Sequence, residues 1–182
     1  MIRIIAGIYK GRFLKVPNSK VTRPTMDKVR QAIFSAMKDK AVHALALDLF
    51  AGSGAMGIEA LSRGAKKAYL NDKGHQTYRL MVGNLKDLDI PSDQYETSNM
   101  DFRLFLKKHR DVPFDLVFLD PPYRFTINQE IIEEMQQQNQ LAKRALVVSE
   151  QDYPNPDIPG FAKREYRYGE KYVALYDKED TK

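Results

Sequence analysis

Apolar residues in this chain fall into short continuous runs separated by stretches with three- and four-residue spacing. The runs predict five strands, at residues 45–49, 67–71, 95–98, 114–119 and 145–149, of which 95–98 is the weakest. The spaced stretches predict helices from residue 57 to about 63, over 75–87, from 101, and over 127–138. Strands that alternate with helices predict an α/β fold with a doubly wound, mostly parallel sheet.

Both ends of the chain depart from this alternation. Residues 163–168 and 171–176 alternate in polarity and predict an antiparallel hairpin at a sheet edge. Residues 2–16 predict a second β-hairpin, followed by a helix with Thr25 as its N-cap. The predicted apolar face of that helix is Val29, Ala32, Ile33, Ala36 and Met37, with Lys28, Arg30 and Gln31 largely off it. We therefore divide the chain into an N-terminal extension, residues 1–40, and a main catalytic domain, residues 41–182.

Positive charge is concentrated in the extension. The whole chain carries +5, but residues 1–40 hold ten Lys or Arg against two Asp, a balance of +8. Basic residues that interleave with Tyr9 and Phe13 are typical of an RNA-binding surface, with cations on phosphates and rings on bases. The candidate phosphate contacts are Arg3, Lys10, Arg12, Arg23 and Arg30. A solvated basic face with no partner is the alternative interpretation.

Composition excludes several classes of chemistry. The chain has no cysteine, and its three histidines lack metal-ligand spacing, so we expect no disulfide, thiol catalysis or metal site. The first residues are too short and too interrupted for a signal peptide. No apolar run approaches the roughly 20 residues that span a bilayer. We expect a soluble, cytoplasmic protein and, by default, a monomer.

A glycine-rich turn follows the first strand of the predicted sheet. Residues 52–57, Gly-Ser-Gly-Ala-Met-Gly, fit G-x-G-x-x-G between a strand and a helix. Glycine lets the backbone approach a ligand closely. Asp72 follows the second strand, where a carboxylate can accept from both ribose hydroxyls. A nucleotide-type ligand is therefore favoured over a merely tight turn.

The glycine turn alone does not choose between a nicotinamide cofactor and S-adenosylmethionine. Asp48, four residues before Gly52, favours S-adenosylmethionine, because a carboxylate there benefits a ligand ammonium and not a pyrophosphate. Residues 99–101 follow the third strand, where they would meet an adenine edge. Asp101 equally suits a helix N-cap, and the two roles are compatible.

The fourth predicted strand runs into Asp120, Pro121, Pro122 and Tyr123. The prolines remove two backbone donors and fix two φ angles, so the strand cannot continue. Ligands bind at this carboxyl end of an open α/β sheet. A planar base could stack on Tyr123 while its amino group donates to the Asp120 carboxylate and the Pro121 carbonyl. The alternative is a plain turn that Asp120 opens and in which Tyr123 covers the core.

Four stretches of the chain resemble the bacterial small-subunit ribosomal RNA guanine-N2 methyltransferases. They are residues 3–7 with 11–12, residues 22–25 with 29–30, residues 47–65 (LDLFAGSGAMGIEALSRGA) and residues 114–123. The Asp-Pro-Pro-Tyr motif is shared with other amino-methylating enzymes and is specific only to the chemistry. The other stretches are specific to the family, and after the fifth strand the similarity is weak.

The resemblance implies a Rossmann-like class I methyltransferase fold with a final antiparallel strand. It implies S-adenosylmethionine as cofactor and, as substrate, the N2 amine of a guanine in 16S rRNA, either free or within an assembling small ribosomal subunit. By motif match it assigns the cofactor to Asp48, Phe50, Gly52, Ser53, Gly54, Asp72, Met100 and Asp101, and the base to residues 120–123. One departure is Asp72, which stands where a longer Glu is common.

Other classes remain open from the residues alone. A DNA adenine or protein glutamine methyltransferase would use the same Asp-Pro-Pro-Tyr segment, although glutamine enzymes typically have Asn in place of Asp120. An NAD-dependent oxidoreductase or a non-catalytic RNA-binding assembly factor would need no such segment. The residues alone do not distinguish a guanine amine from an adenine amine.

Overall fold

A computed structural model of the chain describes residues 1–17, 24–122 and 127–179, with side chains for all of these except 24–26. Two strands form the N-terminal hairpin, β1 (Ile2–Arg3) and β2 (Phe13–Leu14). The main sheet comprises β3 (Leu45–Asp48), β4 (Lys67–Asn71), β5 (Tyr95–Ser98), β6 (Phe114–Leu119), β7 (Leu141–Gln151), β8 (Phe161–Tyr168) and β9 (Lys171–Lys178). The helices are α1 (Pro24–Met37), α2 (Ala55–Ser62), α3 (His75–Asp87), α4 (Phe102–Lys108) and α5 (Ile127–Gln137).

The seven strands of the main sheet lie in the order β5-β4-β3-β6-β7-β9-β8. Strands β3 to β7 pair in parallel, whereas β9 runs antiparallel to β7 and to β8. The chain enters the sheet at β3, moves outward through β4 to β5, and then crosses to the other side of β3 with β6. The prediction of a doubly wound, mostly parallel sheet that ends in an antiparallel hairpin is confirmed.

Two hydrophobic clusters cover the two faces of this sheet, and the central strand β6 contributes side chains to both. Along β6, Leu116 and Phe118 lie in the cluster beneath α1, α2 and α3, whereas Val117 and Leu119 lie in the cluster beneath α4 and α5. Successive strand residues point to opposite faces. The continuous apolar run of β6 therefore follows from its burial on both sides.

The N-terminal hairpin packs on the first of these clusters. Its residues Ile2, Ile4 and Leu14 are buried there with side chains of α1. Gly7 has a φ of +83°, and a Cβ built on it would stand 1.7 Å from the Ser62 carbonyl oxygen at the end of α2. The hairpin backbone thus meets α2 at a distance that only glycine permits.

The structure corrects several details of the predicted extension. The β-ladder is two residue pairs long, shorter than the span 2–16 suggested. Helix α1 begins at Pro24, so Thr25 lies inside the helix instead of capping it. Phe34, which the predicted apolar face omitted, is only 2% exposed. Whether residues 1–40 and 41–182 act as separate units stays a prediction. Among the described helices, none is long and apolar enough to cross a membrane.

Candidate active site

Four acidic side chains gather where the parallel strands end. Asp48 is the last residue of β3, Asp72 follows β4, Asp120 follows β6, and Glu150 lies near the end of β7. Strand register brings them together, because Asp48 pairs with Phe118 of β6 and Leu119 pairs with Ser149 of β7. Carboxyl ends of parallel strands share one edge of a sheet, which is the usual ligand edge of such folds.

The glycine turn between β3 and α2 has one open side and one packed side. Gly52 has a φ of +56°, and a Cβ built on it would meet nothing within 4 Å. Gly54, at a φ of +83°, faces Met81 at 3.1 Å, and a Cβ on Gly57 would lie 2.8 Å from Leu70. Gly54 and Gly57 therefore allow the turn to pack on the core, whereas Gly52 exposes its backbone to open space.

Asp72 braces the glycine turn. Its Oδ2 accepts the Gly52 amide at 2.8 Å, while its Oδ1 accepts the Gly74 amide at 2.8 Å and the Thr77 hydroxyl at 2.6 Å. A carboxylate offers about four acceptor positions. Three are used within the protein, so Asp72 has room for about one further donor, not for both ribose hydroxyls as the sequence predicted. The short side chain suits this bracing role.

Asp48 is a buried acid at the base of the site. It is 5% exposed, and its Oδ2 accepts the Gly57 amide at 3.0 Å. Burial raises the pKa of Asp48 to about 7, with further upward contributions from the charges of Asp120 and Asp72. A buried carboxylate favours its protonated, neutral form unless a nearby cation compensates its negative charge. The position is therefore suited to a positively charged ligand group.

The loop after β5 is held against the end of β4. The Asn99 side chain donates to the Asp72 carbonyl at 2.8 Å, and Asn71 donates to the Met100 carbonyl at 3.1 Å. Asp101 caps α4 by accepting the Arg103 amide at 3.1 Å, which confirms the predicted N-cap. Partial burial raises the pKa of Asp101, but this hydrogen bond and the nearby Lys73 outweigh it and hold the pKa below its usual value.

Phe50 and Ser53 flank the same turn. The Phe50 ring packs against Phe102 with ring centroids 5.5 Å apart, which joins the turn to α4. Ser53 is buried, and its carbonyl accepts the Asn84 side-chain amide at 2.9 Å. Asn84 also accepts the Lys15 amide and donates to the Lys15 carbonyl, both at 2.9 Å. One side chain of α3 thus holds both the glycine turn and the N-terminal hairpin.

The segment after β6 places Asp120 at the surface beside buried Leu119. Pro121 is half-buried and Pro122 is exposed. Tyr123 lies outside the described residues, so its predicted stacking role stays a prediction. The negative charge of Asp120 reaches its neighbours on both sides, because it raises the pKa of Asp48 and of Glu150.

The basic residues of the extension divide into exposed and buried groups. Arg3, Lys10 and Arg12 are exposed on the hairpin, with Phe13 58% exposed beside them. Arg12 also donates to the Asp87 carbonyl at 2.7 Å. Arg23 lies outside the described residues. Tyr9 packs partly against the core, so its ring is less available to a base than the sequence suggested.

Arg30 corrects the prediction of an exposed phosphate contact. It is 5% exposed, and its guanidinium donates to the Arg3 carbonyl and to Asp27 at 3.0 Å. Burial lowers the pKa of Arg30, and the charges of Glu59 and Asp27 oppose this effect. Arg30 is therefore an internal partner that joins α1 to the hairpin, because it donates to the Arg3 carbonyl and its charge is neutralised by Asp27 and Glu59.

The arrangement fits S-adenosylmethionine by two independent features. Gly52 offers open space next to its backbone, so a ligand can approach where any side chain would stand. Asp48 is an acid whose pKa near 7 reflects uncompensated burial. A ligand that carries a sulfonium and an ammonium supplies the missing positive charge.

Several residues at this edge were missed from the sequence. Asn71 and Asn84 tie loops together from within helices and strands, and no local pattern marks them. Glu150 and Lys171 were also missed, although Glu150 had a usable signal. It follows the apolar run 145–149 as Asp120 follows 114–119, and parallel neighbours present equivalent positions at the same edge.

The sheet order, the glycine turn and the acids at the strand ends define a Rossmann-like class I methyltransferase fold. The sequence profile of the family described as Conserved hypothetical protein 95 matches residues 2–177, and the chain belongs to that family. The chain is 39% identical over 158 residues to "Ribosomal RNA small subunit methyltransferase D" of Haemophilus influenzae, covering 86% of this chain and 82% of the relative.

Two further comparisons bear on the fold and the site. The solved structure "Putative methyltransferase yhhF from Escherichia coli" superposes with a TM-score of 0.87 at 35% identity, covering 99% of each chain. A stretch of 56 residues is 41% identical to "tRNA (guanine(26)-N(2)/guanine(27)-N(2))-dimethyltransferase" of Aquifex aeolicus, covering 31% of this chain and 14% of that relative.

Proposed function

We propose that this protein is an S-adenosylmethionine-dependent methyltransferase acting on the exocyclic N2 amine of a guanine in 16S rRNA, in the bacterial cytoplasm. The observation that carries the proposal is the position of Asp120. It lies at the strand end next to Asp48, near enough that its charge raises the Asp48 pKa, and beside the open glycine turn. An acceptor for an amine and a cradle for a methyl donor therefore share one edge.

The cofactor would be held by the glycine turn and the acids around it. Asp48 would face its positive charge, Asp72 one ribose hydroxyl, and the backbone of Gly52 its nearest atoms. The loop that contains Met100 and Asp101 would cover the adenine. S-adenosylmethionine supplies an electrophilic methyl group when it is bound. The role of the protein is then to place and activate the amine.

Asp120 and Pro121 would activate the amine. The N2 lone pair of guanine is delocalised into the ring, which makes the amine a poor nucleophile. Donation of its hydrogens to the Asp120 carboxylate and the Pro121 carbonyl would favour a tetrahedral nitrogen and concentrate the lone pair. Fixed acceptors at rigid proline backbone add positioning and electrostatic stabilisation. Methylation releases one proton from the amine, and Asp120 is placed to accept it.

The names of two relatives support RNA as the substrate and guanine as the target base. One relative that covers most of the chain is named as a small-subunit rRNA methyltransferase, and the partial relative is named for guanine N2. The exposed Arg3, Lys10 and Arg12 would supply cations for RNA phosphates. A base must leave its stack to reach Asp120, so the target is a looped or flipped guanine.

The direct test uses rRNA from cells that lack the protein. We expect purified protein and S-adenosylmethionine to form N2-methylguanosine in the small-subunit RNA or particle, detected by mass spectrometry of nucleosides and mapped to one position. Formation of N6-methyladenosine instead would overturn the guanine assignment. Calorimetric binding of NAD in preference to S-adenosylmethionine would overturn the methyltransferase assignment.

The matched variant is Asp120→Ala, with Asp111→Ala, an acid that is 92% exposed before β6, as the control. We expect Asp120→Ala to lower kcat by at least about 100-fold, because it removes an acceptor that acts in the transition state. Its affinity for S-adenosylmethionine should change by less than about threefold, which calorimetry will show. A variant that methylates at the wild-type rate would contradict the role of Asp120.

A further inference from the structure

A second carboxylate stands beside Asp120 and has no part in the function proposed above. Leu119 of β6 pairs with Ser149 of β7 in parallel register, so the next residues, Asp120 and Glu150, are neighbours at the carboxyl ends of the two strands. Asp120 follows β6, whereas Glu150 still belongs to β7 and pairs with Val173 of β9. Burial and then the charge of Asp120 raise the pKa of Glu150. Two carboxylates, close enough for the charge of one to shift the pKa of the other, therefore lie at the ends of adjacent strands.

Lys171 fixes Glu150 from the other side. Its Nζ lies 3.7 Å from the Glu150 Oε1 and 2.9 Å from the Asp152 Oδ1. Partial burial lowers the pKa of Lys171, but the hydrogen bond to Asp152 and the charges of Asp120 and Glu150 outweigh this and raise it. The ammonium compensates the two neighbouring acids, and 26% of the Glu150 side chain stays exposed toward solvent.

Guanine and adenine differ at the position next to the reacting amine. Guanine has the N2 amine beside an N1–H, so its edge offers adjacent donors. Adenine has the N6 amine beside an N1 lone pair, so its edge offers a donor and an acceptor. Two neighbouring carboxylates match the two donors of guanine. With adenine, one of the two carboxylates would face the N1 lone pair. A polar group left unpaired in this way costs binding strongly.

We propose that Glu150 accepts a hydrogen bond from guanine N1–H while Asp120 holds the N2 amine, and that Glu150 thereby selects guanine over adenine. The inference rests on the proposed function, because it takes Asp120 as the acceptor for the amine. It assigns to Glu150 a direct contact with the substrate base and makes it a specificity-determining residue. Lys171 positions Glu150 and keeps charge balanced at the edge.

The test compares guanine with 2-aminopurine at the methylated position of the RNA. 2-Aminopurine keeps the C2 amine but has an unprotonated N1 and no O6. Wild-type protein should methylate guanine at least about 100-fold faster, measured as kcat/KM. In Glu150→Gln the side-chain amide can donate to the unprotonated N1. The preference for guanine should therefore fall by at least about tenfold, with an absolute gain on 2-aminopurine.

Two further variants separate recognition from folding. Glu150→Ala should lose the preference for guanine without gaining activity on 2-aminopurine. Glu170→Gln, on the exposed turn before Lys171, should keep the wild-type preference. Because each preference is a ratio within one protein preparation, partial unfolding cancels. If Glu150→Gln keeps the wild-type ratio within twofold while guanine is still methylated at N2, Glu150 does not read the base and the proposed function stands. If wild-type protein methylates no guanine, the proposed function and the role of Glu150 are both wrong.

Discussion

At the scale of single residues, Asp48 shows how a buried acid can lower the stability of its own protein. It lies at the end of a central strand with Gly57 as the donor to its Oδ2, and its pKa rises from 3.8 to about 7. The folded protein therefore binds this proton more tightly than the unfolded chain between those values. Stability falls as pH rises through this window, and the full penalty is present above pH 7.

Asp48→Asn should stabilise the ligand-free protein at pH 8. The uncharged amide keeps an acceptor for Gly57 and removes a buried charge, so the free energy of unfolding should rise by as much as about 4 kcal/mol. The gain should shrink as the pH falls towards 4. Urea unfolding at several pH values measures it, and calorimetry should show weaker S-adenosylmethionine binding. Equal gains at pH 5 and pH 8 would contradict the assignment of the titrating group.

Glycine substitutions should separate ligand space from packing space. Gly52→Ala places a methyl group in open space at a positive φ, so it should lower S-adenosylmethionine affinity at least about tenfold at a stability cost of about 1–2 kcal/mol. Gly57→Ala meets Leu70 at 2.8 Å and should cost about 1–3 kcal/mol of stability. Calorimetry and urea unfolding of both variants test the contrast. Comparable stability losses with unchanged affinity would refute it.

Residue-level prediction from the sequence succeeded where local order carries the information. The glycine turn, Asp48 and Asp120 each sit at a strand end that an apolar run marks. The prediction that Arg30 is an exposed phosphate contact was wrong. Helical spacing places Arg30 beside the apolar face but does not show that Glu59 lies opposite and can neutralise its charge. The acceptor count of Asp72 was also invisible, since its donors come from residues 52, 74 and 77.

At the scale of elements, helix α2 joins the glycine turn to the N-terminal hairpin. Its buried Glu59 accepts the Ile5 amide at 2.9 Å and the Ala6 amide at 3.1 Å, and it pairs with Arg63 at 2.9 Å. At its end, Ser62 accepts the Tyr9 amide at 3.0 Å. The hairpin has only two ladder pairs of its own, so these side-chain acceptors from α2 hold its backbone in place.

Glu59→Gln should loosen the hairpin. The amide cannot neutralise Arg30 and Arg63, so the buried Arg30 keeps only Asp27 as an acidic partner and stability should fall by about 2–4 kcal/mol. Hydrogen exchange of the Ile5 and Ala6 amides should speed up more than that of β6. Asp93→Asn, in an exposed turn, is the control and should change stability by less than about 0.5 kcal/mol. Undisturbed exchange at Ile5 would argue that other contacts dock the hairpin.

Element boundaries were predictable for three of the parallel strands, including the edge strand β5, of which only Ser98 is buried. Residues 67–71, 95–98 and 114–119 match β4, β5 and β6 in full. Strand β7 is longer than predicted, because Leu141 pairs with Phe114 before a register shift that places polar residues 143 and 144 in the strand. Alternation of polarity cannot reveal a strand that is lengthened by such an irregularity.

At the scale of the whole molecule, charge is separated from the acidic edge. The extension carries +8 while the rest of the chain carries −3, and Arg3, Lys10 and Arg12 lie exposed on the hairpin. A polyanion bound to the hairpin would balance the positive charge of this surface. The parallel direction of the strands was predictable from alternation, but their order in the sheet and the side on which the hairpin docks were not.

Removing hairpin charge should weaken RNA binding in a salt-dependent way. The double variant Arg3→Ala with Lys10→Ala should reduce the slope of log affinity against log salt by about 1–2. Each phosphate contact that is lost leaves its counterions on the RNA, so fewer counterions are released on binding. Filter binding or fluorescence anisotropy at several salt concentrations measures the slope. Lys107→Ala, exposed on α4, should leave it unchanged. Equal slopes in all proteins would place the RNA elsewhere.

Asn84 carries a consequence for the order of events. Through it, Ser53 in the glycine turn and Lys15 in the hairpin share one side chain, so ordering either segment restrains the other. On the proposed function, a ligand on the turn should therefore raise the affinity of the hairpin for RNA, and by thermodynamic reciprocity RNA should raise the affinity for that ligand by the same factor. The two substrates should bind cooperatively, and Asn84→Ala should make their affinities independent.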